Sequence, residues 1–416
     1  MQKRAEKSFH YKRQMNDTRY YQELFGVSRE QLRTLTATAL RHGGDYSDLY
    51  FEYTTFFNLL LKDGVVSSGG FHTDFGVGIR VLKGEKTGYA YSENTEMPDM
   101  IKAAKAASAI ALGATGTRTY MASENREQNL YPMKSNWRDI EASTFLPFLK
   151  KVESKIFEKD SRVIKVMARL SNSVSEVMMY NSLDELTVDT RPMGSVTVTA
   201  VFEQDGKTEN KSAARSFRMG AELIGDSLAD ELAAQVTEKI DERFEAIRPK
   251  GGQMSVVMGA GASGILLHEA MGHAFEADFN RKGQSIFAGR IGQQVCPEGV
   301  DIVDDGTVSF NRGSGNYDDE GVAGEKTYMV RNGILTSYLH DRVSASWYGV
   351  KSTGNGRREN FRYNPIPRMR ATYMENGNAD PASLIASVSH GVYVDEFSNG
   401  QVKIGEGDFT FFVKSG

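Results

Sequence analysis

Cysteine is nearly absent from this chain: Cys296 stands alone among 416 residues. A single thiol excludes an internal disulfide framework and fits a reducing compartment, so a cytoplasmic protein is expected. Long hydrophobic runs are missing too, and no segment reaches the length of a membrane span. The N-terminus is basic from Met1 to Arg13, but no apolar stretch follows it. It therefore does not read as a secretory signal, and a disordered basic tail over residues 1–17 is expected. An excess of either charge is also lacking. Lys and Arg number 50 against 54 Asp and Glu, for a net charge of −4. That balance exerts no global pull toward nucleic acid or an anionic membrane.

What is present belongs to an ordinary globular protein, 40% hydrophobic and 25% charged, long enough for two domains. In the first, over residues 18–248, Ser28 to Gln31 is a capping-box start for a helix through Leu32, Leu35, Ala39 and Leu40. Leu49, Phe51 and Tyr53, then Val77, Ile79 and Val81, alternate as strands around an Asp63-Gly64 turn. Pro98 opens an alanine-rich helix, and a second helix spans 140–159 with an interruption near Pro147. Strands resume from Val163 to Phe217 around an Asp205-Gly206 hairpin turn. Whether the two strand blocks are a repeat is left open by the sequence. Leu228, Leu232, Val236, Ile240 and Phe244 share one face of an expected helix from Ser227 to Ile247. Arg248-Pro-Lys-Gly-Gly252 breaks it and sets the domain boundary. The fold class is therefore α+β: an N-terminal domain of antiparallel strands with helices, then a mostly β domain over 249–416 enclosing a buried metal-binding helix.

That helix carries the chemistry. His268-Glu-Ala-Met-Gly-His273 follows a glycine-loosened turn at Gly259–Gly264, and two imidazoles flanking a carboxylate are what a hydrolytic zinc site needs. The spacing is unusual. In His-Glu-x-x-His the ligands are four residues apart and share a helix face, whereas a five-residue spacing on a regular α-helix separates them by about 140°. One residue accommodated as a π-bulge at Ala270–Gly272 would restore a common face, with Gly272 absorbing the distortion. The apolar flanks Ile265-Leu266-Leu267 and Ala274-Phe275 point to a buried helix. Glu269 is the natural general base for a metal-bound water.

A third protein ligand is required. Cys296, His340, His390, Glu276 and Asp278 are candidates that spacing does not separate, and Glu276 and Asp278 suit equally a role in orienting the histidines. As alternatives, Cys296 reads as a small buried hydrophobe and Glu269 as a surface salt-bridge residue. The loop Gly313–Gly321 reads as a surface loop, or a cation site through Asp318, Asp319 and Glu320. Arg357 and Arg358, in the turn after Gly354, suit a substrate carboxylate.

Gly264-Ile-Leu-Leu-His-Glu-Ala-Met-Gly-His-Ala-Phe-Glu-Ala-Asp278 resembles the signature helix of the TldD/PmbA family. The likeness extends to Asp304-Asp-Gly-Thr307, Gly315-Asn-Tyr-Asp-Asp-Glu-Gly321, Thr353-Gly-Asn-Gly-Arg-Arg358, Gly400-Gln-Val402 and Gly407-Asp-Phe409. It implies a zinc metalloprotease acting on unfolded or leader peptides, with His268 and His273 as metal ligands and Glu269 as catalytic base. It also implies a PmbA/TldE-like partner subunit or a homodimer. Members have been called modulators of DNA gyrase, although this charge balance supports no direct DNA binding. The family's third ligand, a cysteine in a Cys-Gly stretch, corresponds to a point past Gly416, and Cys296 does not match it. The alternative reading is therefore a non-catalytic peptide-binding or assembly subunit of a TldD/PmbA-type complex; a metal hydrolase of non-peptide amides would share the same site.

Overall fold

A computed structural model describes residues 17–416 except 111, 114, 125 and 127. The basic tail expected over 1–17 lies outside the described residues apart from Asp17, whose side chain caps the first helix. That helix, α1 (Thr18–Phe25), precedes α2 (Arg29–Leu40), which opens on the reciprocal Ser28–Gln31 capping box read from the sequence.

Two similar blocks then build one sheet. In the first, β1 (Tyr46–Lys62), β2 (Val65–Lys83) and β3 (Lys86–Ser92) form a meander followed by α3 (Met97–Ile110). In the second, α4 (Phe145–Lys159) leads into β4 (Val163–Asn181), β5 (Leu186–Gln204) and β6 (Lys207–Phe217), and α5 (Asp226–Thr237) follows. Asp63-Gly64 and Asp205-Gly206 turn two of the hairpins with positive φ at both residues, as their tight loops require. The strand order is β3-β2-β1-β4-β5-β6, so the two meanders meet at an antiparallel β1–β4 seam. Each block is a helix, a three-stranded meander and a helix.

Alternation along the long strands divides the sheet into two faces. On one, Leu49 and Phe51 of β1 pack beneath α1–α3, while Leu59 and Leu61 of the same strand pack beneath α4 and α5. On the other, Tyr50, Val177 and Met179 meet Tyr317, Ala323 and Phe361 from the C-terminal half. The sheet thus lies between helices and the part of the chain that carries the His-Glu motif. Gly76 and Gly78 permit this approach, since a Cβ at Gly76 would come within 2.4 Å of the Phe361 ring.

Two expectations need correction. Pro147 does not interrupt a helix: α4 begins at Phe145, so the proline sits in the first turn, where its missing N–H costs no helical bond. The helix expected from Ser227 to Ile247 is broken after Thr237 and resumes as α6 (Ile240–Phe244). Lys239 adopts a left-handed φ of 54° at the break. Tertiary contacts hold it there, with Lys211 donating to the Glu238 carbonyl and Lys239 Nζ 2.9 Å from Asp395.

The C-terminal half has shorter strands. After β7 (Ser255–Met258) come α7 (Ala262–Leu267), α8 (Ala277–Arg281), β8 (Ile302–Asp305), β9 (Lys326–Arg331), β10 (Ile334–Leu335) and α9 (Arg342–Tyr348). Then follow β11 (Gly356–Arg357), β12 (Ile366–Pro367), β13 (Thr372–Met374), α10 (Pro381–Ala386), β14 (Gly391–Val394), β15 (Glu396–Lys403) and β16 (Asp408–Ser415). A four-stranded sheet runs β10-β9-β8-β13; β7 pairs parallel with β14, and β11–β12 and β15–β16 are ribbons. The fold is α+β. No helix among the described residues is long and apolar enough to cross a membrane.

The loop Gly313–Gly321 is not at the surface. Asp318 and Glu320 are buried against the β1–β2 face, where Arg80 Nη2 donates to Glu320 Oε1 at 2.6 Å and also pairs with Asp48. Arg191 pairs with Asp319, and Arg358 Nη2 lies 3.0 Å from Asp48. Asp318 accepts backbone N–H groups from Glu320, Val322 and Gly356, each at 2.9 Å. These carboxylates are spent on arginines and backbone amides, which removes the cation-site reading. Charges buried this deeply persist only when paired.

Candidate metal centre

Between α7 and α8 the helix changes pitch. His268–Gly272 forms a π-turn in which the His273 N–H bonds to the His268 carbonyl five residues back. A 3₁₀ turn, His273–Phe275, completes the segment. The wider turn offsets the angular error of a five-residue spacing. His268, Glu269 and His273 accordingly bring one donor atom each to within 4.8 Å of one another. The two imidazole rings stand edge to face, their centroids 4.9 Å apart.

Gly272 serves this turn differently from expected. Its φ of −56° and ψ of −52° are ordinary right-handed values, so conformational freedom is not its contribution. A Cβ there would lie 2.1 Å from Met369 Sδ. The glycine is needed for that close approach.

Burial is uneven along the segment. Ala274 and Phe275 are in the core with Phe287, Met329 and Leu339, whereas Ile265 is 38% exposed and His268 opens to solvent. The motif therefore sits at the rim of the core, anchored by Leu267 before it and by Ala274 and Phe275 after it.

Electrostatics distinguish the two histidines. Burial, then the neighbouring His273, lowers the His268 pKa, which favours the neutral ring that a metal needs. His273 is shifted upward, chiefly by its hydrogen bond to Glu276. His273 Nδ1 lies 3.2 Å from Glu276 Oε1, and Glu276 is fully buried and accepts from Arg368 Nη1 at 3.1 Å. A carboxylate on Nδ1 fixes the tautomer that leaves Nε2 as the free lone pair.

Of the candidates for a third ligand, Glu276 takes this orienting position. Asp278 is partly buried with Oδ1 unpartnered, and burial raises its pKa. Cys296 packs among the apolar residues around Phe287, its thiol pushed up by burial. His340 is buried between Tyr338 and Tyr348, while His390 is exposed. Among the described residues none of these joins His268, Glu269 and His273 in a metal-sized group. Arg357 and Arg358 are separated: Arg358 is buried on Asp48, and Arg357 is exposed and donates to the Met369 carbonyl at 3.0 Å. Arg368 and Met369 carried no signal in the sequence, because their roles depend on contacts with residues about a hundred positions earlier.

Two imidazoles and a carboxylate on one turn, with one imidazole oriented by a buried carboxylate, form a donor set that fits a zinc ion. The arrangement is a candidate metal centre on an α+β scaffold.

Comparison with known proteins places the chain further. Three models of the PmbA/TldA metallopeptidase match it: domain 1 over residues 47–111, the central domain over 135–243 and the C-terminal domain over 251–416. A protein of Haemophilus influenzae named metalloprotease TldD homolog is 37% identical over 378 residues, covering 88% of this chain and 78% of that one. A protein of Saccharolobus solfataricus named zinc metalloprotease TldD homolog is 27% identical over 270 residues, 64% of this chain and 60% of that one. Among solved structures, a protein of Thermotoga maritima described as a modulator of a DNA gyrase has a TM-score of 0.72 at 22% identity, over 89% of this chain and 82% of that one. TldE from Thermococcus kodakarensis has a TM-score of 0.70 at 19% identity, over 89% of this chain and 84% of that one. These structural likenesses establish the shared fold. The chain belongs to the PmbA/TldA (TldD/PmbA) metallopeptidase family.

Proposed function

We propose that this chain is a zinc-dependent peptidase that hydrolyses unfolded or leader peptides. The observation that carries the reading is the π-turn, which gathers His268, Glu269 and His273 within 4.8 Å. His268 and His273 would hold the metal, with Glu276 keeping Nδ1 of His273 engaged so that Nε2 faces inward. When bound, zinc supplies Lewis-acid polarisation of the scissile carbonyl and an acidified water. Glu269 would take the proton at a carboxylate oxygen and return it to the leaving amine. The name of the Saccharolobus relative favours zinc over other metals. The likeness to TldE favours work beside a PmbA/TldE-like subunit, with a homodimer as the other arrangement. A reducing, cytoplasmic setting fits the single cysteine.

A second reading, a non-catalytic peptide-binding or assembly subunit, is favoured by one observation. A catalytic zinc takes three protein ligands, and beyond Glu269 the described residues bring only the two imidazoles to the group. Metal analysis by inductively coupled plasma mass spectrometry, with a His268→Ala/His273→Ala control, separates the two. Near-stoichiometric zinc that disappears in the control, with chelator-sensitive cleavage of an unfolded peptide, supports the peptidase. A metal-free chain that binds peptides without cleaving them supports the subunit.

A further inference from the structure

The ribbon β11–β12 divides two adjacent arginines between two tasks. Gly356 pairs with Pro367 and Arg357 with Ile366, and the ladder continues as the Arg368 N–H donates to the Asn355 carbonyl at 2.9 Å. Residues opposite one another, or two apart along a strand, share a face. Gly356, Arg358 and Pro367 face inward and are buried. Arg357, Ile366 and Arg368 face outward: Ile366 is 37% exposed, the Arg368 side chain 41% exposed, and Arg357 is open to solvent.

This outward face borders the candidate metal centre. Arg368 Nη1 lies 3.1 Å from Oε2 of Glu276, the carboxylate that holds His273, and β12 packs against α8. Arg357 Nη1 donates to the carbonyl of Met369, the residue whose sulfur presses on Gly272 of the π-turn. The charge of Arg368 is met by Glu276. Arg357 has no ion-pair partner among the described residues, and its known bond uses one of five N–H donors. Its charged neighbours are mostly cations, the guanidiniums of Arg370, Arg218 and Arg191, with Asp319 the carboxylate that acts against them. A guanidinium held open to solvent among other guanidiniums, beside a hydrolytic centre, is arranged for an anion that arrives from outside.

We propose that Arg357 is a specificity-determining residue that binds a carboxylate of the peptide substrate, with Arg368 as a second donor on the same face of the ribbon. This rests on the peptidase reading above and names what the cleft selects. Two sources share the chemistry, a peptide's C-terminal carboxylate and an acidic side chain. Arg357 touches substrate and takes no proton.

The test measures binding rather than turnover. The full chain carrying Glu269→Gln is titrated, zinc-loaded and again after chelation, with a fluorescein-labelled unstructured peptide whose C-terminus is a free acid or an amide. A second pair carries an internal glutamate or glutamine. At least one acidic peptide should bind about tenfold more tightly than its neutral partner, with or without zinc, as one charge-assisted contact supplies. Preference for the acid over the amide assigns the C-terminus; preference for glutamate over glutamine assigns a side chain. Adding Arg357→Gln should bring that ratio to about one, while Arg357→Lys retains part of it. Unchanged melting and zinc content confirm that the exposed substitution leaves the fold and the metal site intact. Equal affinity within both pairs, no measurable binding, or a preference that survives Arg357→Gln would overturn the proposal. A preference that disappears on chelation and ignores Arg357 would do so too, because the metal would then be holding the carboxylate. Absence of zinc and of all cleavage would instead defeat the peptidase reading, and a carboxylate preference in binding would still be legible.

Discussion

Substituting Glu276 by glutamine should weaken zinc binding by roughly 10- to 100-fold, the usual cost of losing a carboxylate that orients a ligating histidine. In free energy that is about 1.4 to 2.7 kcal/mol. Glu276 is fully buried, with one oxygen 3.2 Å from His273 Nδ1 and the other 3.1 Å from Arg368 Nη1. A glutamine is uncharged and puts a donor amide in place of one oxygen, so it loses the charge-assisted bond to Arg368 and holds the imidazole less firmly even where its remaining oxygen faces both partners. A weaker grip on Nδ1 leaves the ring freer to turn, and the Nε2 direction is less well fixed. The metal-free fold should lose less than the 3–5 kcal/mol typical of a broken buried pair, because the Arg368 side chain is 41% exposed and rehydrates. Competition between the protein and a chromophoric chelator for zinc, near neutral pH, measures the affinity. The same substitution in a His273→Ala background should add little further loss, since Glu276 acts through that ring. Equal zinc affinity in wild type and Glu276→Gln would refute the reasoning, as would an undiminished effect when His273 is already absent.

Arg80→Met should destabilise the fold by about 3–5 kcal/mol in urea unfolding, because it leaves the buried carboxylates of Asp48 and Glu320 short of a cation; a loss below about 1 kcal/mol would mean that water reaches them. Gly272→Ala should cost about 1–3 kcal/mol through overlap with Met369 Sδ. Combined with Met369→Ala it should cost less than the two single changes added, by thermal melting. His340 is pushed down to about 4 by burial, so the folded state resists a proton that the unfolded chain accepts below about pH 6.5. Stability attributable to this ring is complete above pH 6.5 and falls by about 3 kcal/mol as pH drops toward 4. His340→Gln should flatten that part of the stability profile, and an unaltered acid slope would show that other groups set it.

The legible parts of this chain were those specified by neighbours in sequence. The Ser28–Gln31 box, the Asp63-Gly64 and Asp205-Gly206 turns and the alternation at Leu49, Phe51 and Tyr53 are local signals, and each appears in the structure where the pattern places it. The π-turn was legible for a different reason: two histidines five residues apart share a helix face only if the helix takes in an extra residue. What could not be read depends on distant partners. Acidic residues at Asp318, Asp319 and Glu320 look like solvated charge until Arg80, Arg191 and Arg358 are placed against them. The break at Lys239 lies inside a continuous apolar period and is held by Lys211 and Asp395. The apolar flank Ile265-Leu266-Leu267 suggested burial throughout, but Leu267 joins Ala274 and Phe275 in the core while Ile265 is exposed.

The buried charges and the candidate metal centre are parts of one construction. Arg358 and Arg357 are adjacent, and strand alternation sends the first into the charge network on the sheet and the second to the face beside the π-turn. Arg368, across the same ribbon, reaches Glu276 and through it His273. A pair of two-residue strands has little stability of its own. Its inward face is fixed because Arg358 meets Asp48 while the Arg358 and Gly356 backbone N–H groups meet Asp319 and Asp318 at 2.7 and 2.9 Å. Those bonds tie the ribbon to β1 and to the buried loop, so the orienting pair Arg368–Glu276 is supported by the large sheet rather than by the short strands around the site. That accounts for the placement of so much buried charge far from the chemistry. A hydrophobic contact there would hold the two halves together, but it would leave the ribbon free to slide, whereas directional ion pairs fix its register. Loosening that register should therefore weaken zinc binding through His273 without altering either histidine, and Asp48→Asn, whose carboxylate bonds Arg80 and Arg358 among the described residues, is the substitution that tests the effect.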